Sequence, residues 1–370
     1  MLFAICSLFW YCRSMPLLKI NDEAIRRAAA HIVSGGIAAF PTETVYGLGA
    51  DAFNPNALAL IFEIKKRPRF DPLIVHIAAL TTLEKVADLS SLDTGARKRL
   101  DLLTENFWPG PLTLILPKQQ TVPDLATSGM PTVAVRLPAL ASARQLIALS
   151  SGSVAAPSAN PFGFLSPTSA EHVLAMLGDK VEIILDGGPT QVGLESTVLD
   201  ICSGQPRILR PGGIPKEAIE AVIGPLAENT ALDDTAIDGA AVYGADASGA
   251  VSPGMMKSHY APRACLEVCD LEAMCKTPCE GGSAFLFFDG ASRDKWQKEQ
   301  TYPQNVLIKV LSKTGNSTEA AAHFFQSLHE LDKPEISSIY AQRAPEEGLG
   351  IAINDRLEKA AYKRKEKNEE

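Results

Sequence analysis

No stretch of this 370-residue chain supplies 18 uninterrupted apolar residues, so nothing in it is long enough for a membrane helix. An excess of cations is missing too, with 35 Lys and Arg against 43 Asp and Glu and a formal net charge of -8. Tight, non-specific nucleic-acid binding needs the opposite balance, because its affinity comes from counterions displaced by Lys and Arg. A local basic pocket stays open. The seven cysteines are an odd number in a long chain, which fits reduced thiols better than a disulfide framework. The sequence contains no G-x-S-x-G nucleophile elbow and no H-E-x-x-H metal helix. With 27 Gly, 25 Pro, 46% hydrophobic and 21% charged residues, collagen-like and wholly disordered classes are excluded, and the length suggests two domains.

Met1 to Trp10 is apolar but has no basic n-region before it and no small-x-small cleavage site. Ordinary sequence opens at Met15-Pro16. The expectation is a non-structural extension over residues 1–15, from an upstream start codon or a disordered arm, on a cytoplasmic protein. Cys265, Cys269, Cys275 and Cys279 lie close together with spacing C-x3-C-x5-C-x3-C. Structural zinc knuckles pair cysteines two to four apart with a longer loop between pairs. Free thiols used as small hydrophobes, with no bound metal, are the favoured reading, and zinc analysis of a Cys275 variant separates the two.

From Asn21 a polar cap, apolar Ile25, Ala28, Ala29, Ile32 and Val33 and a Gly35-Gly36 stop predict a helix. Strands are expected at Ile37–Phe40, Leu73–Ile77, Leu112–Leu116, Thr132–Leu137, Ser153–Ala156, Ile183–Leu185, Ser196–Ile201 and Arg207–Leu209. Asn56 is a candidate cap for a helix through Lys66, Thr168-Ser169-Ala170-Glu171 reads as a capping box, and Pro215 to Val222 as a closing helix. Many strands with fewer helices suggest a mixed α/β domain over residues 16–222. Glu217 to Met256 holds seven acidic residues and no basic one, a linker composition, giving a linker over 223–262. Strands at Ala284–Phe288, Val306–Leu311 and Ile336–Tyr340 alternate with helices at Thr318–Leu331 and from Gly350. They predict a small parallel α/β domain over 263–361 and a frayed, charged tail over 362–370.

Two nucleotide motifs nearly form. Gly47-Leu48-Gly49-Ala50-Asp51-Ala52 fits G-x-G-x-x-A, but Phe53-Asn54-Pro55 follows where a dinucleotide fold needs an unbroken helix start. Gly249 to Ser258 resembles a phosphate loop interrupted by Met255-Met256. What remains are polar residues at strand ends. Phe40 to Gly47 places hydroxyls after a strand, with glycines read as a tight turn. Lys65, Lys66, Arg67 and Arg69 surround a helix end, where cations either complement the helix dipole or hold phosphates. His76 inside an apolar strand is a satisfied core histidine or a site residue. Arg136 is a permanent cation in a strand and needs an anionic partner, structural or ligand. Ser158, Asn160 and Ser196 suit a polar ligand or a turn, and Arg210 is another candidate phosphate contact.

Together the motifs become specific. Phe40-Pro41-Thr42-Glu43-Thr44-Val45-Tyr46-Gly47-Leu48, Lys65-Lys66-Arg67-Pro68, Pro72-Leu73-Ile74-Val75-His76, Pro109-Gly110-Pro111-Leu112-Thr113 and Val135-Arg136-Leu137-Pro138 occur in order. Pro157-Ser158-Ala159-Asn160, Ser166-Pro167-Thr168, Glu195-Ser196-Thr197-Val198 and Arg210-Pro211-Gly212 follow. This series, over roughly residues 20 to 220, resembles the YrdC-like family of threonylcarbamoyl-adenylate synthases. Ser252-Pro253-Gly254-Met255, His259-Tyr260-Ala261-Pro262, Glu347-Gly348-Leu349-Gly350 and Asp355-Arg356-Leu357 resemble its longer, two-domain branch.

The resemblance implies a twisted mixed sheet around a concave cavity and a small Rossmann-like second domain. The implied reaction joins L-threonine, bicarbonate or CO2, and ATP into threonylcarbamoyl-adenylate and pyrophosphate, with Mg2+ arriving on ATP. A separate transferase complex then modifies tRNA, with no membrane and no tight tRNA binding by this chain. Thr44, His76, Arg136, Ser158 and Ser196 would line the threonine side. Arg67, Asp71, Thr132, Asn160, Thr168, Arg210 and Tyr260 would line the ATP side. Lys65 and Arg67 would act electrostatically, with no covalent nucleophile. The linker is expected to act as a lid whose Tyr260 reaches the nucleotide. Two positions depart from the family pattern: Asp71 stands where many relatives have Asn, and Phe162 where they often have Ser. A carboxylate at 71 repels phosphate unless it binds magnesium or turns away. An RNA-binding module without catalysis and a carbamoyl-phosphate-using transferase are the alternatives.

Overall fold

The structure, a computed structural model, describes residues 17–202, 204–227, 256, 259–279, 281–300 and 306–367. The expected extension and most of the expected linker and lid lie outside these residues. Ten strands make the first sheet: β1 (Leu17–Lys19), β2 (Ala38–Pro41), β3 (Tyr46–Asp51), β4 (Ile74–Ile77), β5 (Leu112–Pro117), β6 (Thr132–Arg136), β7 (Ser153–Ala155), β8 (Ile183–Asp186), β9 (Thr197–Asp200) and β10 (Arg207–Arg210). Their order is β1-β8-β2-β3-β7-β4-β6-β5-β9-β10. β4 and β6 run parallel while β5 and β7 oppose them, so the sheet is mixed. Helices α1 (Asp22–Val33), α2 (Pro55–Lys65), α3 (Thr94–Phe107), α4 (Asp124–Thr127), α5 (Ala141–Leu149), α6 (Ala170–Leu177) and α7 (Lys216–Ile223) complete the unit. The continuous apolar strands Leu112–Pro117 and Thr132–Arg136 are buried along nearly their whole length, as interior strands covered on both faces must be.

Three local expectations change. Gly47 and Gly49 do not form a turn; they lie within β3, antiparallel to β2. A Cβ on Gly49 would stand 2.6 Å from the Phe40 ring and 2.7 Å from Val154, so this glycine serves close side-chain packing. Asn54, not Asn56, caps α2, accepting the Asn56 and Ala57 amides at 3.0 and 3.2 Å, with Pro55 at the favoured first position. Ser169, not Thr168, caps α6 by accepting the His172 amide.

The second sheet is wholly parallel, in the order β11 (Cys265–Cys269), β14 (Ser338–Gln342), β12 (Ser283–Asp289), β13 (Leu307–Ser312). It carries α8 (Leu271–Lys276), α9 (Gly290–Glu299), α10 (Ser317–Leu331) and α11 (Leu349–Lys367). The backbone of α11 stays helical into the tail expected to fray. Cys269, Cys275 and Cys279 pack with Met274, Phe285, Phe287 and Trp296 in an apolar cluster.

The two units share a core in which Val45, Leu165 and Leu194 meet Tyr260, Phe325 and Leu328. At its rim His172 stacks on His329 with ring centres 3.8 Å apart, and a ring nitrogen of His329 contacts the Ser166 carbonyl at 3.0 Å. Burial pulls both imidazoles down to about 4. In the unfolded chain each takes a proton near pH 6.5, whereas folded it resists until about pH 4. Stability is therefore full above pH 6.5 and falls as pH drops through that window, by up to ~1.4 kcal/mol per pH unit for the well-buried His329 and by less for the partly exposed His172, whose charge water screens. Melting temperatures at pH 7, 6 and 5 are expected to decline, and His329→Phe to flatten the decline. An unchanged slope in that variant would remove the pair from the account.

Candidate active site

The β2–β3 loop begins with a hydroxyl turn. Thr42 Oγ1 donates to the Val45 carbonyl at 2.7 Å and lies 2.8 Å from Thr44 Oγ1, directing Thr44 inward. β4 and β6 then set His76 beside Arg136 in register. Arg136 donates through Nη1 to Thr44 Oγ1 at 2.8 Å, through Nη2 to Glu43 Oε1 at 2.5 Å and through Nε to the Gly110 carbonyl at 3.2 Å. A guanidinium carries five N–H donors, so these three bonds leave two for a ligand. The anionic partner that a strand arginine demands is thus Glu43, whose Oε2 is buried without a hydrogen bond among the described residues. His76 is pulled down to about 3, first by burial and then by the Arg136 charge, and forms a neutral wall. Ser196 Oγ lies 2.7 Å from Thr113 Oγ1, and Ser158 follows β7 opposite Gly47. Thr44, His76, Arg136, Ser158 and Ser196 all line one cavity, joined by Arg67, Arg210, Glu195, His259 and Tyr260.

Behind Arg67 lies a buried polar layer. Arg67 donates to the carbonyls of Asp71 and Pro72 at 3.0 and 2.7 Å, and its Nη2 stands 2.9 Å from Asp71 Oδ2. The Asp71 carboxylate has no aligned hydrogen bond; burial raises its pKa and Arg67 opposes that. Asp71 therefore turns toward Arg67. Lys65 donates to the carbonyls of Ser158 and Asn160, tying α2 to the loop after β7. Burial and then the Arg67 charge hold its pKa well below the ordinary lysine value, against Asp71. Asn160 Nδ2 donates to the Pro161 and Phe164 carbonyls at 2.9 and 2.8 Å. Phe162, the second departure, sets its ring edge-on to His259 with centres 5.6 Å apart.

Arg210 reaches the cavity through a bulge: Ile208 pairs with Leu199, but Arg210 pairs with Val198, so one extra residue turns the strand end inward. Its Nη2 donates to the Ser196 carbonyl at 2.9 Å and to Ser196 Oγ at 3.2 Å. Tyr260 is buried on left-handed backbone, φ 61°, and its hydroxyl is pushed up to about 12 by burial and then by Glu195. Four expected ATP-side residues do not line the cavity: Asp71 and Asn160 lie in the layer behind it, and Thr132 and Thr168 stand further off. Thr132 shares the Arg136 face of β6 about 13 Å along the strand. The Thr168 amide contacts His172 Nδ1 at 3.3 Å at the base of α6.

Glu43, Glu195, His259 and Arg356 are the site-shaping residues for which the sequence reading assigned no role. Their signal was a charged or titratable group embedded in an otherwise apolar or hydroxyl-rich motif. Gly212 packs tightly against the backbone of two lining residues, since a Cβ there would meet the Glu195 carbonyl at 2.4 Å and the Ser196 carbonyl at 2.5 Å. Gly212→Ala is expected to push Ser196 and lower turnover about tenfold or more, as misplacement of a positioning group does. Unchanged kinetics would show that this packing yields without cost. The arrangement offers three ion-paired or bonded arginines, Arg67, Arg136 and Arg210, beside hydroxyls and the neutral His76 imidazole. It lacks a nucleophile–base pair among its described residues, which suits binding and charge neutralisation rather than covalent catalysis.

Family models divide the chain as the sheets do. One described as telomere recombination matches residues 30–212, and one described as the threonylcarbamoyl-AMP synthase C-terminal domain matches 214–362. The Pyrococcus abyssi threonylcarbamoyl-AMP synthase is 40% identical over 353 residues, covering 93% of this chain and 95% of the relative. The Bacillus subtilis enzyme of that name is 39% identical over 358 residues, covering 95% and 97%. A crystal structure of the P. abyssi protein, complexed with L-threonine, superposes with TM-score 0.78 at 39% identity over 93% of this chain and 96% of that one.

Proposed function

Because the chain belongs to the two-domain threonylcarbamoyl-AMP synthase family, we infer that the cavity between β4, β6 and β10 is where its adenylate is made. The activity is that of an L-threonylcarbamoyl-adenylate synthase, a nucleotidyltransferase that consumes L-threonine and ATP. The proposal concerns which groups do what. Threonine's carboxylate takes the two remaining donors of Arg136, while Thr44, Ser158 and Ser196 meet its polar groups and His76, uncharged above about pH 3, adds no cation beside the amine. The neutral amine adds to CO2 with loss of its proton to solvent, or to bicarbonate with loss of water, to give a carbamate. A carbamate oxygen then attacks the α-phosphorus of ATP, the bond to the β-phosphate bridging oxygen breaks, and pyrophosphate leaves.

Arg67 and Arg210 neutralise phosphate charge at that step, and Tyr260 closes the nucleotide side. Lys65 and Asn160 hold the loop that carries Ser158, and Asp71 orients Arg67. Thr132 and Thr168 stand further along the ATP side. Magnesium enters as MgATP, with phosphate oxygens and water as its ligands. The product then goes to a transferase acting on tRNA, which this chain does not itself hold. Among the described residues no helix is long and apolar enough to cross a membrane.

The observation that carries this reading is the cavity itself. Five residues proposed for threonine and three proposed for ATP line it together, although they come from segments spread from residue 44 to residue 260. The test is one incubation of protein, MgATP and bicarbonate, with and without threonine, followed by mass spectrometry for the adenylate. Threonine-dependent adenylate and pyrophosphate are expected, insensitive to salt. Absence of the adenylate in the presence of all three substrates would sink the reading.

A further inference from the structure

Arg356 lies on α11 with none of its side chain exposed, yet its charge is directed at the other domain. Its Nε donates to Glu195 Oε2 at 3.0 Å, and its Nη1 donates to the Pro211 carbonyl at 2.7 Å and to Asp355 Oδ2 at 2.6 Å. The remaining Glu195 oxygen accepts Ser166 Oγ at 2.5 Å. Glu195 directly precedes Ser196, whose carbonyl and hydroxyl receive Arg210, and Glu195 and Arg210 are close enough to feel each other's charge. The guanidinium also stands 5.2 Å from the centre of the Tyr260 ring, a cation–π distance. Phe325 flanks that ring with centres 5.7 Å apart.

A buried carboxylate stripped of its cation seeks another. Within this cluster the next arginine is Arg210, which lines the cavity. Resting on the synthase reading, we propose that Arg356 is a positioning residue for the nucleotide side: by committing the Glu195 carboxylate it keeps that charge from capturing Arg210. The second domain thereby acts on phosphate binding without touching phosphate. Arg356 reaches the reacting groups through Glu195, so its loss affects the nucleotide more than threonine.

The test measures calorimetric MgATP binding without threonine, and separately kcat and the KM of each substrate by pyrophosphate release, on the full chain. Arg356→Met is expected to weaken MgATP binding and raise its KM about tenfold or more, with the threonine KM within about twofold. Adding Glu195→Gln removes the carboxylate that Arg356 restrains, so R356M/E195Q is expected to bind MgATP within about threefold of E195Q alone. Wild-type affinity in R356M, equal losses for both substrates, or a double variant as weak as R356M overturns the proposal. If R356M fails to fold, the comparison of R356M/E195Q with E195Q decides: equal affinity supports the proposal and a tenfold gap overturns it. A wild-type chain that binds MgATP but makes no adenylate overturns the synthase reading instead, because the calorimetry does not depend on turnover.

Discussion

Arg136→Met is expected to lower kcat/KM for threonine by on the order of 100- to 1,000-fold, the effect of removing one member of a buried, hydrogen-bonded charge pair at a binding site. Two losses coincide in that variant. The threonine carboxylate loses its fork, and Glu43, bonded to Arg136 at 2.5 Å, becomes a buried carboxylate without a cation. The second loss alone destabilises the fold by roughly 3–5 kcal/mol. Adding Glu43→Gln separates them, since the neutral amide removes the buried charge and should recover most of the melting temperature while leaving turnover low. Arg136→Lys is expected to fail as well, because one ammonium cannot span Thr44, Glu43 and the Gly110 carbonyl as the planar fork does. A threonine KM unchanged in R136M/E43Q would remove Arg136 from the threonine side.

Gly193→Ala is expected to separate the two domains' melting and to lower synthase activity with it. Gly193 has φ 73°, where a side chain is strained by about 1–3 kcal/mol. A Cβ there would also lie 2.4 Å from the Ala321 carbonyl oxygen and 2.6 Å from the Ala322 Cα. Those atoms are backbone of α10, so no side chain can swing aside, and the domains must move apart. Glu195 is two residues away, so the shift should loosen its bond to Arg356. Calorimetry should show one transition in the wild type, and in G193A a lower or split one displaced by roughly 5 °C or more. A single transition at the wild-type temperature would show that the interface absorbs the methyl group.

The sheet was legible wherever apolar and β-branched residues formed a run bounded by turn residues, as in Val133-Ala134-Val135 before Arg136 and Pro138. It was illegible at β3, where Gly47 and Gly49 look like a turn until the Phe40 ring across the ladder is known. The α6 cap shows a different limit, because Thr168 and Ser169 both carry a suitable hydroxyl. Thr168 is excluded by tertiary bonds, its carbonyl accepting the Thr190 amide at 3.0 Å. Most cavity residues were identifiable because they occur in order within specific motifs. Their partners were not, since Arg136 meets Glu43 across 93 positions and Arg356 meets Glu195 across 161. No local periodicity encodes those distances.

The second of these pairings sets an order of events during synthesis. The first domain's strands are complete once Arg210 has been made, but the cation that neutralises Glu195 comes only with α11. A nascent chain carrying a finished first sheet therefore holds the Glu195 carboxylate with Arg210 as its nearest cation, and catalytic competence waits on α11. The fragment 17–227 is accordingly expected to melt below the full chain, and Glu195→Gln to stabilise the fragment while failing to stabilise the whole protein.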